Sequence, residues 1–174
     1  MTRAAVTLFA SRAYDGLSVD DLVNHLGVHR NSLYKTFGSK RGLYLTALRW
    51  HVEHEIGSLL AEMASAADAR QAMTIALTAG QAGTGLDLLL LAAVERAPVD
   101  AEVASVVAMA LAGLDEALHR AQAAGGRCAD GGGAVPADVL TAELFGLRLR
   151  TRVGAADKGV RSATASRIGD TLTA

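Results

Sequence analysis

A sequence of 174 residues with a single cysteine, Cys128, has no partner for an internal disulfide and fits a reducing compartment. Prolines are as scarce: Pro98 and Pro136 are the only two, so long stretches can run as uninterrupted helix. Seven aromatic residues disfavour a pocket built on ring stacking, so a ligand would meet aliphatic walls and a few polar groups. No stretch reaches the roughly 18 uncharged apolar residues of a membrane span, and the N-terminus lacks a signal-type apolar core. A cytoplasmic protein without membrane association is expected. The glycine-rich run GGRCADGGGAV at 125–135 lacks the G-x-x-x-x-G-K-[ST] spacing, and no strand leads into it. It reads as a loop and not as a phosphate cradle. Cys128 in that run has Arg127 to stabilise a thiolate but Asp130 to oppose it, which argues against a redox role. His51, His54 and Glu55 fall within about one helical turn, yet no HExxH or paired carboxylates accompany them, and no nucleophile has a base in a recognisable context. Catalysis, a metal and a cofactor are not expected.

What is present is alanine, leucine and helical periodicity. About half of the residues are apolar (51%), and strand-forming clusters are rare, which predicts an all-α protein. The formal net charge of −1 hides an asymmetry. Residues 1–50 hold seven Lys or Arg against three acids, and the remainder holds ten against fifteen. A basic head on an acidic body marks the N-terminal region as the place for a polyanion.

Within that head, Val19, Leu22, Val23 and Leu26 follow the i, i+3, i+4, i+7 pattern of one helix face. Ser18 stands at the N-cap position, and Asp21 three residues on can reach back to it as an acid variant of the capping box. Gly27 supplies the left-handed residue that ends this helix, and Val28 plugs the angle to the next. A second short helix follows from about Arg30 to Thr36, with Leu33 and Phe37 inward. Its outward face is Arg30, Asn31, Ser32, Lys35 and Thr36, without an acid among them. Arg and Lys donate to guanine O6 and N7, Asn pairs with adenine, and Ser, Thr or Tyr34 can hold phosphates. Two short helices joined at a glycine, the second polar and basic, form a helix-turn-helix pattern. Ser39 then caps a third helix, with Lys40 and Arg41 in its first turn.

The segment LGVHRNSLYKTFGSKRGLY is similar to L-G-V-x-x-x-x-L-Y-x-x-F-x-S-K-x-x-L, the mark of the TetR family of bacterial transcriptional regulators. The resemblance covers about a quarter of the chain. It implies Lys40 and Tyr34 on the DNA backbone, and Arg30, Asn31, Ser32, Lys35 and Thr36 near base edges. Ser18, at the head of the supporting helix, joins this DNA-facing set. It further implies a three-helix head over 1–46 and a helical effector-binding and dimerisation body over 47–174. Partners would then be double-stranded DNA, a second copy of the chain and a small-molecule effector. Two departures stand out: Ala13 occupies a position where the family commonly has glycine, and almost nothing precedes Arg3. They motivate a competing reading, a helical ligand-binding or interaction module whose DNA head is impaired by a shortened first helix.

Further helices are predicted from Thr2 to about Arg12, Lys40 to about Ala66, Asp68 to about Ala82, Leu86 to Ala97, Asp100 to Ala124, Pro136 to about Gly154, and Ala156 to Leu172. In the body, His54, Leu59, Met63, Met73, Leu77, Leu89, Leu90, Val106 and Met109 are candidates for an effector pocket, although any of them also suits plain core. By the resemblance, the last two helices pair with their symmetry mates, with Leu140, Leu144, Leu147, Ile168 and Leu172 at the interface. The same stripes also suit closure of a monomer core.

Overall fold

The computed structural model describes residues 1–79, 85–125 and 135–154. Within them every regular element is helical, as the composition predicts. Three short helices, α1 (Thr2–Ser11), α2 (Val19–Leu26) and α3 (Arg30–Phe37), precede a longer run. That run is α4 (Lys40–His51), a π-helical turn (Val52–Ile56) and α5 (Gly57–Ala64). Then come α6 (Ala69–Ala79), α7 (Asp87–Leu91) with a second π-helical turn (Ala92–Arg96), α8 (Ala101–Ala124) and α9 (Ala137–Arg152).

The chain packs as two units. The first joins Met1–Ser58 to Gly80–Ala110, and the second joins Leu59–Ala79 to Leu111–Ala174. In the first, α1 buries Ala5, Val6 and Phe9 and packs on α4 and α7. Leu22 of α2 and Leu33 of α3 are fully covered, and Leu43, Ala47 and Leu48 bring α4 into the same core. Each leucine so buried contributes about 2 kcal/mol of transfer free energy. The second unit is built from smaller side chains: Ala69, Ala72 and Ala76 on α6, and Ala117 and Ala121 beside Leu114 and Leu118 on α8. Leu140 and Leu144 of α9 complete it, with α9 packed against α6. There the Thr141 hydroxyl donates to Asp115 at 2.5 Å, and the Gln122 amide donates to the Val135 carbonyl at 2.7 Å.

Several expectations need adjusting. The long helix from Lys40 is continuous, but it is interrupted at Val52–Ile56 by a wider turn that hydrophobic spacing does not reveal. The helix predicted over Leu86–Ala97 likewise ends in a π turn, closed by the Ala97 N–H on the Ala92 carbonyl at 2.9 Å, five residues back. Among the described residues only glycines have positive φ, so Ala13 carries no left-handed penalty. The first helix, α1, runs ten residues. The helix predicted over Ala156–Leu172 lies outside the described residues.

Candidate nucleic-acid interface

The head is set by its helix ends. Ser18 Oγ accepts from the Asp21 N–H at 3.0 Å, and the Asp21 carboxylate accepts from the Ser18 N–H at 2.8 Å. This is the expected capping box, and the Ser18 hydroxyl also donates to Asp21 at 2.6 Å. These bonds, the hydroxyl's first, hold the Asp21 carboxyl below the usual carboxylate range. Ser18 is thus engaged in fixing α2. Gly27 ends α2 at φ 65° and Gly38 ends α3 at φ 72°, both conformations that favour glycine. Ser39 caps α4 by accepting from the Gly42 N–H at 3.0 Å. A Cβ at Gly42 would lie 1.9 Å from the Phe37 carbonyl oxygen, so the α3–α4 turn closes only around a glycine. Sequence reasoning missed Gly42, because its constraint is a backbone approach and not a special φ.

On α3, Leu33 is buried while Arg30, Asn31, Ser32, Tyr34, Lys35 and Thr36 are all exposed. The six side chains expected to read or hold DNA therefore share the solvent side of one short helix. Arg30 is engaged: its guanidinium donates to Asp20 Oδ1 of α2 at 2.5 Å, which raises its pKa further. Lys40 is also engaged. Its Nζ sits 4.2 Å from the centre of the Tyr14 ring, and burial lowers its pKa. The Arg96 guanidinium carbon lies 4.5 Å from the same ring, and the Tyr14 N–H donates to Glu95 at 2.9 Å. Tyr14 in turn meets Tyr44 edge-on at 4.9 Å, and Tyr44 meets Phe9 edge-on at 5.0 Å. Burial pushes the Tyr14 and Tyr44 phenols up.

Arg41, one residue on, forms a bidentate pair with Asp100 at 2.7 and 2.8 Å and reaches Glu102 at 3.0 Å. Arg49 also binds Glu102, and Arg96 lies 3.6 Å from Asp100. Asp100 is nearly enclosed and caps α8 through the N–H groups of Glu102 and Val103. The Arg41 bonds hold the Asp100 carboxyl far below the usual carboxylate range and drive the Arg41 pKa up. No local sequence signal announces this network, which links positions 59 and 61 apart.

The other predicted residues scatter. Leu59, Met63 and Met73 are buried and Leu77 half-buried in the second unit; Leu89, Leu90 and Val106 are buried in the first. Met109 is exposed, as is His54, which stacks on Trp50 with ring centres 4.7 Å apart. His51 is fully buried, with Nδ1 2.8 Å from Glu55 Oε2. Among the described residues no three His, Cys, Asp or Glu side chains converge as a metal set. On α9, Leu140 and Leu144 are covered within the chain itself and Leu147 is half-buried; Ile168 and Leu172 lie outside the described residues. The opposite side of α9 exposes Val139, Ala142, Gly146, Leu149 and Val153, spaced three and four residues apart.

Residues 2–47 match the family model for bacterial regulatory proteins of the tetR family. Over that stretch the chain is similar to the TetR family. The chain is similar to an HTH-type transcriptional regulator of Bacillus subtilis, YezE, 33% identical over 40% of this chain and 36% of that one. The activator FasR of Mycolicibacterium smegmatis is 32% identical over 44% of this chain and 35% of its own length. The repressor BdcR of Escherichia coli is 40% identical over 30% and 26%. These matches span about a third or less of the curated relatives' length. The fold is similar to that of a proposed transcriptional regulator from Saccharomonospora viridis, solved in complex with choline. The TM-score is 0.65 at 20% identity, over 88% of this chain and 83% of that one.

Proposed function

We propose that this chain is a dimeric, ligand-responsive repressor that binds a near-palindromic operator through α3 of each copy. Residues 1–46 read DNA, and residues 47–174 bind the effector and pair the two copies. The observation that carries the reading is the solvent face of α3: six polar or cationic side chains without an acid, on a helix held between two glycine turns. Arg30, Asn31, Ser32, Lys35 and Thr36 lie near base edges, and Tyr34 and Lys40 bind phosphate. Reaching phosphate requires Lys40 to leave the Tyr14 ring.

Symmetric reading of a near-palindrome needs two heads. The exposed row Val139, Ala142, Gly146, Leu149 and Val153 supports pairing through α9, over the buried Leu140 and Leu144. A small-molecule effector is supported by the similarly folded protein that holds choline. Ligand favours a state in which the two heads no longer match successive major-groove faces, and DNA affinity falls by the coupling free energy.

Binding of the purified protein to its own upstream intergenic DNA, against a scrambled duplex at two salt concentrations, tests the reading. Preference for its own DNA with a steep salt slope is expected. Weak binding without preference would return the head to the impaired alternative. Lys35→Ala should relax base preference, whereas Lys40→Ala should weaken all sequences alike and flatten the salt slope by about one unit.

A further inference from the structure

Arg30 opens α3, and its side chain is exposed with the others proposed to meet base edges. Its Nη2 donates at 2.5 Å to Asp20 Oδ1, in the first turn of α2. Two acids occupy that turn, and they are used differently. Asp21 closes the capping box, accepting from the N–H and the hydroxyl of Ser18. Asp20 has no part in the cap: it is exposed, and its carboxylate turns to Arg30 on the next helix.

The two arginines at the starts of α3 and α4 show what that contact leaves available. Arg41 gives Nε and Nη2 to the two oxygens of Asp100, and Nη2 again to Glu102, so its fork is occupied within the chain. Arg30 gives one hydrogen of Nη2 to one carboxylate oxygen. Whichever Nη2 hydrogen that is, the other lies parallel to an N–H of Nε or of Nη1. Such a parallel pair is the fork that guanine O6 and N7 accept. Asp20 therefore restrains a long side chain without closing the edge that reads. An exposed ion pair adds little to stability in water, but the restraint strengthens where DNA displaces solvent and screening falls. The same carboxylate also faces the phosphates of any duplex seated on α3, which disfavours every sequence alike.

We propose that Asp20 is a positioning residue for base recognition: it holds the Arg30 guanidinium with a free fork for a guanine edge, and it lowers affinity for DNA in general. The inference rests on the reading of α3 as the helix that meets the bases. It goes further by giving an acid on α2 a part in specificity.

The full chain is footprinted on its own upstream intergenic DNA, and binding is then measured to duplexes carrying each single base-pair substitution of the protected site. Arg30→Ala should erase preference at the base pair that Arg30 meets. Asp20→Ala should cut preference at that same base pair about tenfold, within the range of one bidentate contact. Its affinity for a scrambled duplex should instead rise about twofold to threefold at low salt, because one negative charge has left the surface. In the Arg30→Ala background, Asp20→Ala should leave base preference unchanged, as expected of a residue that acts through another. Asp20→Asn keeps an oxygen for Nη2 and should retain most of the preference, while binding scrambled DNA as Asp20→Ala does. A merely structural pair would weaken operator and scrambled DNA together, with loss of helical circular dichroism, and would overturn the assignment. So would a preference that Asp20→Ala leaves intact, or one that it still reduces when Arg30 is already gone, which would place Asp20 itself on a base. Failure of the regulator reading registers earlier and separately: a parent protein that protects no site would remove that reading and this inference with it.

Discussion

In the head, shape is fixed at the ends of short helices: Ser18 and Ser39 cap, Gly27 and Gly38 turn at positive φ, and Tyr44 meets Phe9 and Tyr14 edge to face. In the second unit, shape follows from the sides of helices, where alanine rows on α6 and α8 are buried beside a few leucines. Gly42 and Gly113 express the contrast. A Cβ on Gly42 would strike backbone, the Phe37 carbonyl oxygen at 1.9 Å. On Gly113 it would meet the far end of a flexible side chain, Leu60 Cδ1 at 2.7 Å. Pinned ends leave a fold little room to adjust, whereas packed sides yield.

The contrast breaks most visibly at Gly42. Gly42→Ala should cost about 3 kcal/mol or more, because a backbone atom cannot step aside, and operator binding should go with it. Thermal denaturation followed by circular dichroism measures this, and a variant as stable as the parent would mean that the α3–α4 turn is not pinned as described. Acid should separate the regions next. Asp21, Asp100 and Glu102 have depressed pKa values in the folded chain, so their stabilisation is present at neutral pH and is lost as pH falls through and below the ordinary carboxylate range. The depressed pKa of His51 has the same sign, and its loss begins as pH falls below about 6.5. All four lie in the first unit, as does Trp50, the sole tryptophan. Tryptophan fluorescence should therefore change at a higher pH than the far-ultraviolet helical signal, and coincident transitions would count against the distinction.

A smaller effect is expected at the cap. Ser18→Ala should cost about 1 kcal/mol in urea denaturation. Without the serine hydroxyl, the Asp21 carboxyl should titrate closer to the ordinary range, which NMR of the carboxyl carbon reads directly. Least of all, Gly113→Ala should stay within about 1 kcal/mol of the parent, since the helical gain of alanine offsets displacement of the Leu60 methyl. A loss as large as that at Gly42 would erase the comparison.

What the sequence disclosed follows the same division. The α2 capping box, the turn at Gly27 and the inward Leu22 and Leu33 were legible because each depends on residues within four or five positions. The exposed face of α3 followed from the same periodicity. Arg41 with Asp100, Arg49 with Glu102 and Lys40 over Tyr14 were not legible, since nothing local marks a partner dozens of residues away. The π turns escaped because no local residue marks where an extra residue enters a helical turn. On α9 the sequence offers two apolar stripes, and spacing alone does not tell which is covered; Leu140 and Leu144 face inward while Val139, Leu149 and Val153 remain outside. His51 was noticed for its neighbours His54 and Glu55, but its complete burial depends on the fold around it.

The network at Arg41 also bears on how the chain is made. The family-matching stretch ends at residue 47, yet Arg41 and Arg49 find their acids at Asp100 and Glu102, Tyr14 finds Glu95, and α1 packs on α7. Recognition sequence and folding unit are therefore different lengths of chain. On the ribosome the head waits, with those cations unpaired and the α7 side of α1 uncovered, for several seconds until α7 and the start of α8 emerge. A fragment cut at residue 47 would keep α3 whole but lack Asp100, Glu102 and Glu95, the partners of Arg41 and of the Tyr14 N–H.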